Sequence, residues 1–197
     1  HWKARLPGPG SSSPIIVGNR VFVTCWTGYG AGEDSPSSLT RHLACFDRDN
    51  GKQLWSKSVK AEAQVDRYEG FMQEHGYASQ TPVSDGENVF VFFGKAGALA
   101  FSMEGQQLWQ VNLGTGANEK NWGSSSSPIL YKDTVIINAS EESHAIYALD
   151  KRTGRQVWKC EAGSLSYVFG TPVLAEHEGR SDLIISVPNE LWGINPD

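Results

Sequence analysis

The chain has 197 residues, 39% of them hydrophobic and 20% charged, with a net charge of −5. That length and apolar share suit a folded domain with a buried core. The acidic balance gives no broad electrostatic reason to bind nucleic acid or an anionic membrane, and no apolar run approaches the roughly 18 residues of a membrane-spanning helix. No signal peptide is visible; the chain opens on His1 rather than Met and reads as starting inside a domain.

Residues 1–10 carry Trp2 in "HWKARL" and read as the outer strand of a preceding or a closing unit. Residues 11–60 form the first full unit: Ser13-Pro14 opens "PIIV", Gly18-Asn19-Arg20 turns, and the β-rich runs "VFVTCW", "LACFD" and "QLWSKSV" follow. Between this unit and the next, "AEAQVDRYEGFMQEHG" at 61–76 is at most one short helix in a loop. Residues 79–113 repeat the order with Thr81-Pro82, "VFVFF", "ALAFS" and "QLWQVNL". Residues 124–161 repeat it with Ser127-Pro128, "TVIINA", "AIYALD" and "QVWKCEA", and 169–197 with Thr171-Pro172, "LIISV" and "LWGIN", without a fourth run. Pro at a strand start is tolerated because its missing N–H falls outside the ladder.

Each unit is four short strands, and the units recur. Trp2, Trp55, Trp109 and Trp158 are spaced 53, 54 and 49 residues apart, close to the roughly 40–50 residues of a four-stranded propeller blade. No segment sustains the 3.6-residue period of a helical repeat. A blade cannot bury both faces alone, so neighbours must stack around a shared axis. The phrase "ALDKRTGRQVW" at 148–158, with a degraded copy "CFDRDNGKQLW" at 45–55, is then a blade corner. Asp47 and Asp150 accept from turn N–H groups, Gly51 and Gly154 permit a positive φ, and Trp55, Trp109 and Trp158 bury a ring against the next blade. Small residues at Cys45, Ala100, Ala148 and Gly193 leave room for close packing.

On these motifs the chain resembles the quinoprotein-dehydrogenase-like β-propellers, whose PQQ-like repeat reads roughly A-x-D-x-x-T-G-x-x-x-W. Residues 148–158 match it throughout; 45–55 carry Cys for Ala and Asn for Thr; 100–109 put Ser102 in the Asp slot and shorten the turn by one residue. The resemblance implies an all-β propeller of four-stranded antiparallel blades, about four of them present, as part of a seven- or eight-bladed whole whose remaining blades are partners of these. A closed four-bladed ring, with residues 1–6 beside 191–195, is the alternative. Family members that use pyrroloquinoline quinone share a vicinal Cys-Cys pair, acidic and amide calcium ligands and a catalytic Asp. This sequence has no Cys-Cys and no calcium loop of D-x-[DN]-x-[DN]-G type; no cofactor is expected in these blades, and quinone with calcium belongs to the enzyme alternative.

Other chemistry is weakly signalled. Cys25, Cys45 and Cys160 form no C-x-x-C; Cys25 and Cys45, on neighbouring strands, are either a cross-strand disulfide or small buried hydrophobes. "GSSSSP" at 123–128 lacks the G-x-S-x-G elbow and "GKAG" at 94–97 lacks P-loop spacing. His42, His75, His144 and His177 show no H-E-x-x-H pattern, so no metal site is expected. The informative asymmetry is loop length. Turns on one propeller face are short, whereas 27–42, 60–78 and 114–125 are long and share the other face, where binding usually resides. They carry Arg41, Asp66, Arg67, Tyr68, Glu69, His75, Tyr77, Asn121 and Trp122; Arg41, Arg67, Tyr68, His75, Tyr77, Asn121 and Trp122 are the candidate face for a protein partner or small ligand, against the reading that they cap the channel. By resemblance to outer-membrane assembly propellers, the expected function is a non-catalytic binding or scaffolding module of the bacterial periplasm or cell envelope. The alternatives are a quinone-dependent alcohol or sugar dehydrogenase and an extracytoplasmic sensor domain.

Overall fold

The structure is a computed structural model that describes residues 1–61 and 65–197; the 62–64 part of the long 60–78 loop lies outside them. Strands β1 (Ile15–Val17), β2 (Arg20–Thr27), β3 (Thr40–Asp47) and β4 (Gln53–Lys60) form one antiparallel sheet in chain order. Strands β5 (Val83–Ser84), β6 (Asn88–Phe92), β7 (Ala98–Ser102) and β8 (Gln107–Val111) form the second, and β9 (Ile129–Tyr131), β10 (Thr134–Ala139), β11 (Ala145–Asp150) and β12 (Gln156–Glu161) the third. The fourth has three strands, β13 (Val173–His177), β14 (Arg180–Val187) and β15 (Glu190–Ile194). Two short helices interrupt the connections: α1 (Phe71–His75), and α2 (Ser140–Ser143) between β10 and β11.

The sheets pack face to face in sequence. In β6, Val89, Val91 and Phe93 (just past its end) meet Phe22, Leu43 and Cys45 of the first blade, while Phe90 and Phe92 meet Val135 and Ile137 of the third. Alternate side chains of one strand thus enter two different cores, which is why "VFVFF" is apolar at every position. Ile136, Ile146 and Ala148 repeat the arrangement against Leu183, Ile185 and Val187.

Two hydrogen-bonded seams join the blades. The inner one starts from the residue before each strand-opening Pro. Ser13 N–H donates to Thr81 Oγ1 at 3.0 Å, Thr81 N–H to Ser127 Oγ at 2.9 Å, and Ser127 N–H to Thr171 Oγ1 at 2.9 Å. The outer seam is the Trp corner. The indole N–H of Trp55 donates to Met103 O, of Trp109 to Lys151 O and of Trp158 to Pro196 O, each at 3.0 Å. Every acceptor lies one residue past the Asp slot of the next blade. Asp150 Oδ1 holds its turn by accepting from Thr153 N–H at 2.8 Å, Thr153 Oγ1 at 2.7 Å and Arg152 N–H at 3.1 Å, bonds that hold its pKa below the usual carboxylate value. Ser102 Oγ does the same work in the shorter turn, accepting from Glu104 and Gln106 N–H. The turn glycine lies under the previous blade's indole: a Cβ on Gly154 would sit 2.8 Å from the Trp109 ring and one on Gly105 2.8 Å from the Trp55 ring, at φ +72° and +84°. Opposite each Trp stands the small residue (Cys45, Ala100, Ala148), and a β-bulge follows at each of these pairs.

One expectation changes. Residues 1–10 form no strand, although Trp26 N–H of β2 donates to Pro9 O at 2.9 Å, and β15 has no further described strand beside it, so no four-bladed ring closes through 1–6. Trp2 nevertheless makes the corner contact, donating to Arg48 O at 2.7 Å with its ring over Gly51. Cys25 and Cys45 are free and buried. Cys45 pairs with Phe22 and Cys25 with His42, three register steps or roughly 10 Å apart, too far to bridge.

Candidate functional site

The three long loops do meet on one face. Trp26, at the end of β2, packs against Tyr68 and Tyr77 with ring centroids 6.5 and 6.1 Å away, and Tyr29 lies 6.3 Å from Tyr68. Leu39, Met72 and Ala78 complete this apolar cluster. The candidate residues separate into a buried layer and an exposed one.

Arg41 and Tyr77 belong to the buried layer, at 6% and 4% exposure. Arg41 Nε–H donates to Tyr77 O at 3.1 Å and its guanidinium stands 5.6 Å from the Tyr77 ring. Burial pulls Arg41 down to about 10, which leaves it cationic at neutral pH. Burial also raises the Tyr77 hydroxyl, which donates to Asp66 O at 2.6 Å. Asp66 forms a buried ion pair with Lys95 at 2.6 Å. Glu142 of α2 completes the group; burial pushes its carboxyl up to about 7. Three successive blades thus contribute Arg41, Lys95 and Glu142 around a cavity with about 10 Å³ for water centres, enough for one water. Gln80 Nε2 closes its side on Ser124 O at 2.6 Å. Gln80 Oε1 and Glu142 Oε2 make no hydrogen bond. These charges are the capping layer, not a contact surface.

The exposed layer lies over it. Trp122 is half-buried, with ring centroids 4.6 Å from Phe71, 5.8 Å from Phe169 and 6.4 Å from Tyr167. His75 Nε2–H donates to Trp122 O at 2.8 Å and so ties α1 to the 114–125 loop. Phe71, His75, Trp122, Ser125 and Phe169 line an apolar groove of about 230 Å³. Beside it, Tyr29, Glu33, Asp34, Tyr68 and Gln73 line a more polar one of about 560 Å³. Arg67 is exposed, 3.9 Å from Glu69; Asn121 is exposed at φ +52°. Glu141 holds this layer from below: its carboxylate accepts from Tyr167 N–H at 3.0 Å and from Asn118 Nδ2.

Phe71, Tyr167 and Phe169 were absent from the sequence-derived set. Phe71 lies inside the 61–76 segment, and its apolar ring at the head of the Phe-Met-Gln-Glu-His pentad was the available signal. Tyr167 and Phe169 come from the 162–171 connection, which is short and carried none. Of the histidines, His42 is held between Thr27 Oγ1 and Ser58 Oγ, His144 donates to Leu165 O, and His177 is exposed.

Blades of four antiparallel strands, sealed by an indole corner carrying the A-x-D-x-x-T-G-x-x-x-W phrase, define a PQQ-like-repeat β-propeller. Residues 35–189, about four-fifths of the chain, match the family model described as outer membrane protein assembly factor BamB, and the chain belongs to that family. BamB from Moraxella catarrhalis superposes with a TM-score of 0.55 at 18% identity, over 97% of this chain and 59% of that one. The quinohemoprotein alcohol dehydrogenase of Comamonas testosteroni gives 0.52 at 19% identity over 78% and 21%. The quinohemoprotein alcohol dehydrogenase ADHIIG of Pseudomonas putida HK5 gives 0.56 at 14% identity over 98% and 42%. This chain thus spans about three-fifths of that BamB and less than half of either dehydrogenase. No curated protein sequence matches it significantly.

Proposed function

We propose that the chain is part of a non-catalytic propeller of the bacterial cell envelope that docks a protein partner on its long-loop face, with further blades completing a seven- or eight-bladed ring. The observation that carries this reading is the division of the two faces. The turn face uses its repeated corners for inter-blade contacts, whereas the loop face presents half-exposed aromatic rings over a largely buried charged layer. Membership of a family described by outer-membrane assembly supports the envelope setting and a protein partner. No helix among the described residues is long and apolar enough to cross a membrane.

The described residues do not fit pyrroloquinoline quinone with calcium. The three cysteines are separate in sequence. Among the described residues no three His, Cys, Asp or Glu side chains are grouped to hold a metal. The buried cavity between blades admits one water, not a fused-ring quinone. We derive no step through that cofactor.

A photo-crosslinking residue placed at Tyr68 or Asn121 in the full protein in its host tests the reading. It should trap a discrete protein partner, while the same residue at Asn50 on the turn face should not. Equal trapping from both faces, or none from the loop face, contradicts it.

A further inference from the structure

We propose that the groove beside Trp122 takes an arginine side chain presented by an extended segment of the partner. This rests on the reading of the loop face as the docking face and names the chemistry of what it holds. The walls are ring faces and edges from Phe71, Trp122 and Phe169, brought together from two inter-blade loops and α1. About 230 Å³ is room for one long side chain, not for a folded element. Only His75 and Ser125 add polar atoms to the lining, so nothing there is built to hold an anion.

Ring faces carry negative charge density and attract cations. A guanidinium is planar and weakly hydrated, stacks on rings, and leaves its methylenes against the apolar walls; an ammonium is a compact, strongly hydrated charge that gives up more on entering. The surroundings carry the matching sign. Glu74 is exposed on α1 between Phe71 and His75, and Glu69 and Glu119 are exposed on the adjoining loops. Glu33 and Asp34 line the neighbouring groove. Against these five acids the described residues of the three loops expose three cations, Lys60, Arg67 and Lys120, and Arg67 already faces Glu69. Such a rim steers a cationic segment in and repels an acidic one. An aliphatic side chain would fill the walls and gain nothing from the rim.

The test is a titration with two capped pentapeptides, Gly-Ser-Xaa-Ser-Gly, in which Xaa is arginine or its neutral isostere citrulline. The readout is the Trp122 indole N–H signal, assigned with Trp122→Phe. The arginine peptide should shift it saturably and bind about tenfold more tightly than the citrulline peptide. Raising salt about tenfold should weaken the arginine peptide severalfold, and Glu74→Gln should weaken it as well. Phe71→Ala should lower affinity at least about threefold while the other six indole signals of the seven tryptophans stay in place, since Phe71 is 54% exposed and no part of the core. Equal affinity for the two peptides, no saturable shift, or indifference to Phe71→Ala overturns the proposal. Cross-linking from Asn121 with equal peptide affinities would sink this inference and leave the docking face standing. Selective arginine binding without a cross-linked partner would do the reverse.

Discussion

The turn face and the loop face are built from the same four blades but use their side chains in opposite ways. At the turn face, every corner repeats one solution: an acceptor holding the turn, a glycine under the neighbour's indole, and an indole N–H closing on a carbonyl one residue past the acceptor slot. At the loop face nothing repeats. Arg41, Lys95 and Glu142 come from comparable places in three blades yet are three different residues, two cations and one acid, and the rings of Phe71, Trp122 and Phe169 have no counterparts in the repeat. Repetition marks what every seam needs, and its loss marks the face proposed for docking.

Substitutions at the corner should break this division most severely. Trp109→Ala removes a buried ring that packs with Phe90 and leaves Lys151 O without its donor. We expect a loss of about 3–5 kcal/mol in urea unfolding; a loss under about 1 kcal/mol would remove the indole from the seam. Gly154→Ala and Gly179→Ala isolate the glycine's two tasks. Both positions have positive φ, but only a Cβ at 154 meets a ring, at 2.8 Å, while 179 faces open space. The first should cost on the order of 3 kcal/mol and the second only the backbone strain of about 1–2 kcal/mol. Equal losses would mean that Trp109 yields without cost.

The buried layer should answer to pH. The folded-state value of Glu142, about 7, lies above the 4.5 of the ordinary carboxyl. The folded state therefore binds this proton more tightly than the unfolded chain does. The stabilisation it gives is complete below pH 4.5 and lost as pH rises through 7, a swing of roughly 3 kcal/mol at most. Glu142→Gln should flatten the stability profile between those limits and be more stable than the parent at pH 8; an unchanged slope would show that the carboxyl is not confined. At the inner seam, Ser127→Ala orphans the Thr81 N–H and should cost about 1–2 kcal/mol. Ser37→Ala, an exposed hydroxyl on the loop face, should stay within about 0.5 kcal/mol.

What could be read from the sequence follows the same boundary. Blade order, strand-opening prolines and corner tryptophans were legible because their signals are local and occur three or four times. The Ser or Thr before each proline was visible, but its task was not, because each bond joins residues 44 to 68 positions apart. The loop face was legible as a location and not as a surface. Arg41 and Tyr77 have the composition of contact residues, yet both are buried in the loop cluster; Tyr167 and Phe169 looked like connection, and Tyr167 stands exposed with Phe169 half-buried beside the groove. Their burial is decided by packing between loops that occur once, and a single copy offers no register to read.

The most direct test compares one tryptophan from each face, following thermal midpoint and arginine-peptide affinity together. Trp109→Ala should lower the midpoint by roughly 10 °C and, below that midpoint, bind the peptide as the parent does. Trp122→Ala should hold its midpoint within about 4 °C, a loss near 1 kcal/mol, and lose the peptide. If both variants lose stability and affinity in step, the two faces are one cooperative structure and the division between architecture and binding is wrong.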